Sequence, residues 1–254
     1  GWPLSAMALL GLLVAVMRHW PRDVIIFSLP LAIFLVAGQQ EMYFARFIIP
    51  AVPALLILAA ALLEKTVSSV VTKTRDSGFI LAALTLALVM QPVLSSIRLD
   101  LLLNQTDTRT LAKNWIETNL PAGAKIAVDW QTHGPPIATP ERAVPGATRV
   151  FDVHIVGGTG LSENPITWYR ENGFDYLISS SFISDISLVF PEQDLARRAF
   201  YASLPEEFEL VRAFSPTTTG VDVPFIFDEI YGPAVSVWQR KTPGPTIKIY
   251  AVQD

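Results

Sequence analysis

The sequence predicts an α-helical transmembrane bundle of four spans followed by an extracytoplasmic α/β domain. Three observations predict it. Apolar residues make up 51% of the chain but charged residues only 17%, where soluble domains run at about a quarter charged. The shortage is uneven, because residues 1–97 hold six Lys/Arg and four Asp/Glu while the rest hold thirteen and nineteen, a net charge of −6. Long uncharged runs dominate the first part, whereas short helical and strand-like patterns alternate in the second. The boundary is expected near Arg98, with residues 1–98 in the membrane and 99–254 in water.

A helix crossing the hydrocarbon core needs about 20 mostly apolar residues. Residues 2–17, 24–38, 46–63 and 79–97 meet or approach that length, and none carries a charge in its interior, where hydrocarbon would penalise one by a few kcal/mol. Pro30, Pro50, Pro53 and Pro92 would interrupt soluble helices but are tolerated in membrane spans. The competing reading is the buried helical core of a soluble protein. Four such runs in 97 residues leave it little polar surface to face water. The chain opens on Gly1 inside an apolar run, so the N-terminal part of a longer protein is expected to precede it.

Orientation follows from the loops. Arg18 and Arg22 flank the first connection, and Lys65, Lys73 and Arg75 lie in the third, while residues 39–45 between them contain no base. Basic loops stay in the cytoplasm. Arg46 then stands at the outer boundary, and everything after Arg98 is extracytoplasmic.

In the outer domain Asp107-Thr108-Arg109 opens a helix on an N-cap acid. Leu111, Ala112, Trp115 and Ile116 give it an apolar face, and Asn119-Leu120-Pro121-Ala122-Gly123 ends it. Strands are expected at 125–128, 149–153, 176–179, 208–214 and 246–252, and further helices at 165–172 and 192–204. Alternation of the two favours an α/β sandwich with a sheet that is at least partly parallel. Residues 217–224 and 239–245 read as loops.

Several chemistries are excluded or weakened. With no cysteine, disulfides, zinc–thiolate sites and thiol nucleophiles are ruled out. An acidic domain is a poor nucleic-acid binder, which needs clustered positive charge. Asp152 and His154 share a face of a strand, and His133 or Asp129 could join them at a metal. Two histidines at unknown separation carry that idea only weakly. Gly157-Gly158-Thr159-Gly160 lacks the ending of a phosphate loop and reads as a turn. Ser179-Ser180-Ser181 lacks the nucleophile elbow of a hydrolase. Trp168-Tyr169 offers either a sugar-stacking surface or, as the ordinary reading, a helix packing face. No cofactor is identified, and dependence on a divalent metal stays open.

Other segments carry a family resemblance. Ala45-Arg46-Phe47-Ile48-Ile49-Pro50-Ala51-Val52-Pro53-Ala54-Leu55 is one, and Asp107-Thr108-Arg109 with Ala112, Trp115-Ile116 and Asn119-Leu120-Pro121-Ala122-Gly123-Ala124-Lys125-Ile126 is another. Phe174–Ser181, Phe214-Ser215-Pro216, Tyr231-Gly232-Pro233 and Pro243–Tyr250 follow in order. Together they resemble the C-terminal part of bacterial family 39 glycosyltransferases of GT-C architecture, which include protein O-mannosyltransferases and aminoarabinose transferases. The resemblance implies an inner-membrane enzyme that moves a sugar from a polyprenyl-phosphate donor to an extracytoplasmic acceptor, whether glycan, lipid or protein. It also implies that the acid activating the acceptor lies in an upstream loop, outside this chain. Arg46 is then placed to pair with the donor phosphate, which guanidinium suits. Glu41 and Tyr43 share its loop and become substrate-binding candidates. For each there is an ordinary alternative: a snorkelling arginine, a solvated acid, an interfacial aromatic.

Two other classes compete. One is a non-enzymatic, membrane-anchored extracytoplasmic domain that binds a polysaccharide or a protein. The other is a transporter subunit, which would ordinarily carry polar residues within its spans.

Overall fold

A computed structural model of the chain describes residues 1–18, 21–39, 45–70, 76–130, 132–189, 194–218, 223, 225–226, 228, 233 and 236–252. Glu41 and Tyr43 lie outside these residues, as do His19, Trp20, Lys73 and Arg75 of the connections and Tyr231-Gly232. The chain divides into two compact units, Gly1–Ile97 and Arg98–Asp254.

The first unit is helical. It contains α1 (Trp2–Arg18), α2 (Pro21–Ala37), a 3₁₀ segment (Ala45–Ala51), α3 (Val52–Val70) and α4 (Asp76–Leu103) as far as Ile97. Pro50 lies in the 3₁₀ segment, and Pro53 falls in the first turn of α3, where a missing N–H costs no helical bond. Pro30 and Pro92 lie inside α2 and α4.

Helix α1 packs on α3 through small residues. Ala8, Gly11 and Ala15, spaced three and four apart, are the buried positions of α1, and Ala51, Ala54, Leu58 and Ala59 are buried on the other side. A Cβ built on Gly11 would lie 2.6 Å from the Leu58 carbonyl oxygen. Backbones approach this closely where packing itself holds helices together. The outward positions are apolar, with Leu9, Ile25, Phe34, Phe79 and Leu86 each more than half exposed.

Among the described residues, two helical stretches are long and apolar enough to cross a membrane, Arg46–Ser69 and Gly78–Asn119. Their most apolar windows are only 28% and 0% buried within the protein. The core helix of a soluble protein would be mostly covered. Trp2–Arg18 is apolar but shorter.

The second unit is a layered α/β structure. After α5 (Thr108–Asn119) come β1 (Lys125–Val128), β2 (Asp152–Ile155), a 3₁₀ turn (Gly160–Glu163), α6 (Ile166–Glu171) and β3 (Tyr176–Ser180). The short helices α7 (Ser181–Ser184) and α8 (Ile186–Val189) follow, then α9 (Leu195–Glu207), β4 (Glu209–Phe214) and β5 (Ile247–Ala251). The sheet order is β2-β1-β3-β5-β4. Strands β2, β1 and β3 run parallel, while β5 is antiparallel to both β3 and β4.

The N-cap at Asp107 forms as the sequence indicates. Its side chain accepts from the Arg109 backbone N–H at 2.8 Å and from the Arg109 guanidinium at 2.9 and 2.8 Å. Burial alone would raise the Asp107 carboxyl, but these bonds and the charge of Arg109 hold it below its usual value. The strand expected at 149–153 begins at Asp152 instead, because only from there does the chain lie in register with Lys125. Residues 150 and 151 are tied elsewhere, the Val150 carbonyl to the Gly123 N–H and the Phe151 N–H to the Ala138 carbonyl.

Alternation along the strands creates two cores. Ile126, Val128, Ile178, Ile247 and Ile249 meet Ala112 and Ile116 of α5 and Leu120 just after it. Ala127, Leu177 and Tyr250 meet Tyr169 of α6 and Leu204 of α9 on the opposite face. Strand β1 is apolar on both faces because helices cover both. Tyr169 is fully buried and Trp168 half-buried against it, so this pair is a packing face and not a stacking platform.

Candidate functional site

The carboxyl ends of parallel strands in an open α/β sheet form the usual ligand crevice. In the second unit this edge gathers Asp129 after β1, the glycine turn after β2, and Ser179 to Ser181 at the end of β3. Each is placed by strand length. Asp129 follows Val128, whose side chain faces α5, so the next side chain points to the α9 face.

Asp129 is fully buried. One carboxylate oxygen accepts from the Ser180 N–H at 2.7 Å, and the other from the Leu161 N–H at 2.8 Å and the Tyr201 hydroxyl at 2.5 Å. Burial pushes its carboxyl up to about 6, against the opposing pull of those three bonds and the charge of Arg197. Tyr201 is itself pushed up by burial and by the Asp129 charge, so its phenol stays protonated and donates. Gly160 closes the turn at φ +68°, and a Cβ there would overlap the Tyr201 hydroxyl. Only glycine combines that backbone with that space. The Gly157 N–H is occupied by the Glu163 carboxylate at 2.7 Å. Asp129 thus ties together β1, β3, the glycine turn and α9.

Beside this knot, at the same sheet edge, lies a polar cavity of about 160 Å³. Ser179 and Lys248 enter it from opposed positions of β3 and β5. Ser181, Ser184 and Asp185 come from α7 and its end, and Tyr201 and Leu204 from α9. The Ser181 hydroxyl accepts from the Thr246 N–H at 3.0 Å, and the Ser184 hydroxyl donates to Asp185 at 2.7 Å.

His133 and His154 are held apart in separate aromatic groups. His133 packs edge-on against Trp130 and Phe182, where burial and the nearby Arg109 charge hold its imidazole below its usual value. His154 sits against Trp168 and Phe174. Among the described residues, no group of three His, Cys, Asp or Glu side chains is placed to hold a metal ion.

In the first unit, Arg46 is exposed on the 3₁₀ segment, its guanidinium 5.6 Å from the centre of the Phe47 ring. Phe47 in turn lines an apolar hollow of about 450 Å³ with Ala32, Ile33, Val36 and Ala37 of α2. A cation therefore stands next to an open apolar space. Asp185, Lys248 and Tyr201 escape a reading of the sequence, because only the strand register and the packing of α9 bring them to one place. Asp129 carries a legible signal, an acid directly after an apolar strand. Comparisons with protein-family models, with curated proteins and with solved structures return no match to this chain.

Proposed function

We propose that the chain is the C-terminal portion of an integral membrane glycosyltransferase, moving a sugar from a polyprenyl-phosphate donor to an extracytoplasmic acceptor. The observation that carries this reading is Arg46 beside the apolar hollow of Phe47, Ala32, Ile33, Val36 and Ala37. A polyprenyl phosphate needs both features, a cation for its head and a dry surface for its chain. The ordered likeness of segments 45–55, 107–126 and 243–250 to family 39 transferases supplies the sugar. The exposed apolar faces of α1 to α4 support four spans with lipid as their solvent. The basic connections at Arg18, Arg22 and Lys65 would face the cytoplasm, which puts Arg46 and the α/β unit outside.

In this reading the acceptor oxygen bonds to the anomeric carbon while the bond from that carbon to the donor phosphate oxygen breaks. A general base removes the acceptor proton, and Arg46 stabilises the charge left on the departing phosphate. Glu41 and Tyr43, in the connection before Arg46, would contact the donor sugar and the lipid chain. The test is donor binding and sugar transfer by the intact protein in lipid nanodiscs. Arg46→Ala is expected to weaken polyprenyl-phosphate binding by at least roughly tenfold, the worth of one charge-assisted pair. Unchanged donor affinity and turnover would remove Arg46 and the reading with it. A second reading, a non-catalytic domain that binds a glycan or a protein, is favoured by the polar cavity at Lys248, which needs no lipid donor.

A further inference from the structure

We propose that the turn at 237–239 is a membrane anchor, seating the Trp238 side chain in the headgroup layer at which α4 leaves the bilayer. The inference rests on the reading that lipid surrounds α4. It adds a place where the α/β unit itself meets the lipid surface. Two independent observations carry it, the spacing of charges along α4 and the hydrogen bonds of Arg98.

The spacing sets a level. From Gly78 through Ile97 the helix carries no charge, and these twenty residues at about 1.5 Å each span roughly 30 Å, the thickness of the hydrocarbon core. Arg98 is the first charge after that run and Asp100 the second, so the headgroups begin at about their level. Past it α4 still turns Leu101 and Leu103 outward, each more than half exposed.

The hydrogen bonds bring the turn to that level. Arg98 Nε donates to the Val237 carbonyl at 3.3 Å, and Nη2 to the Arg240 carbonyl at 2.6 Å. Backbone oxygens thereby satisfy a guanidinium that stands where water is scarce. The turn is stiff. The Ser236 carbonyl accepts from the Gln239 N–H at 3.0 Å, the Ser236 hydroxyl from Arg240 Nε at 2.7 Å, and the Pro216 carbonyl from the Lys241 N–H at 2.8 Å. Ser236 and Val237 are buried, while Trp238 is 61% exposed. One exposed apolar side chain means little by itself. Here its level gives it meaning, because tryptophan concentrates at membrane–water boundaries, where its ring is in lipid and its indole N–H still finds a polar partner. The exposed Lys241 adds an ammonium suited to headgroup phosphates.

The anchor is coupled to the sheet. Arg240 also donates to the Gly244 carbonyl at 2.8 Å, and Thr108 donates to the carbonyls of Pro243 and Pro245, just before β5. Lipid contact at Trp238 therefore holds the starts of α5 and β5 at a fixed height above the bilayer.

The test is site-directed spin labelling of the full chain in vesicles of phosphatidylcholine and phosphatidylglycerol. Collisions of the nitroxide are compared for oxygen, which concentrates in hydrocarbon, and for a water-soluble nickel chelate. The chain has no cysteine, so each introduced thiol carries the only label. Trp238→Cys is expected to give an oxygen-to-nickel ratio several-fold above that of Thr118→Cys, which is exposed near the far end of α5. If Trp238→Cys fails to fold, Gln239→Cys, which keeps the tryptophan, decides by the same comparison. A ratio equal to that at 118 would overturn the anchor. So would collision with neither reagent, the mark of a second copy or another protein covering the turn. Leu86→Cys, exposed in the middle of α4, separates the two failures. A label at 86 that reads as water sinks the membrane reading and the anchor together, whereas 86 in hydrocarbon with 238 in water sinks the anchor alone.

Discussion

The buried carboxylate of Asp129 gives the second unit a stability signature that a pH titration can read. Its folded-state value is raised from 3.8 to about 6, so between those values the folded chain holds a proton that the unfolded chain has released. Stability from this group is therefore complete below about pH 4 and is lost as pH rises through 6. A shift of about two units at about 1.4 kcal/mol each makes the loss on the order of 3 kcal/mol by pH 7. Asp129→Asn removes the titration. Its oxygen can keep the Ser180 N–H, but its amide nitrogen then meets the Leu161 N–H, at a cost of about 1–3 kcal/mol independent of pH. The assay is urea unfolding of the full chain in detergent micelles, followed by hydrogen exchange of the Tyr176–Ser180 amides. At pH 4 the variant is expected to be clearly less stable than the native protein. By pH 7 the difference should shrink by about 3 kcal/mol. Subtracting the variant removes the contribution of other titrating groups, including Asp107, whose lowered value acts with the opposite sign. A gap that stays constant or widens across this range would show that Asp129 is not held as a buried, destabilised carboxylate.

Two further substitutions probe the packing. Gly160→Ala places a Cβ against the Tyr201 hydroxyl at a φ of +68°, and should cost at least about 2 kcal/mol in the same urea assay. Full native stability would mean that the glycine turn does not close on Asp129. Gly11→Val drives a side chain into the Leu58 carbonyl at 2.6 Å, and should destabilise the α1–α3 contact by about 1–3 kcal/mol, read as a lower melting temperature of the helical unit in micelles. An unchanged melting temperature would mean the two helices do not meet there.

Much of the fold is legible in the sequence because the signals are local. The N-cap acid at Asp107, the Leu-Pro-Ala-Gly stop at 120–123 and the apolar strand at Lys125–Val128 are all contained within a few residues. The departures come from contacts distant in sequence. Strand β2 starts at Asp152 because residues 150 and 151 are engaged by Gly123 and Ala138, which no local pattern records. Sheet order is equally hidden, since the pairing of β5 with β3 is set by Ile247 opposite Ser180 and Ala251 opposite Tyr176. The same register carries Lys248 to Ser179, so the cavity becomes visible only in three dimensions. Trp168-Tyr169 shows the reverse case, where an aromatic pair that suits sugar stacking is used for packing against Phe174.

The central claim is that lipid surrounds the helical unit and that the α/β unit lies outside the cytoplasm. The chain has no cysteine, so a single introduced thiol is an unambiguous reporter. In intact cells a membrane-impermeant maleimide is expected to label Thr118→Cys, on the exposed face of α5, and to leave Ser68→Cys, near the end of α3, untouched until the membrane is opened. Equal labelling of both sites in intact cells, or labelling of Ser68→Cys alone, would contradict the proposed topology and the outward position of Arg46 that depends on it.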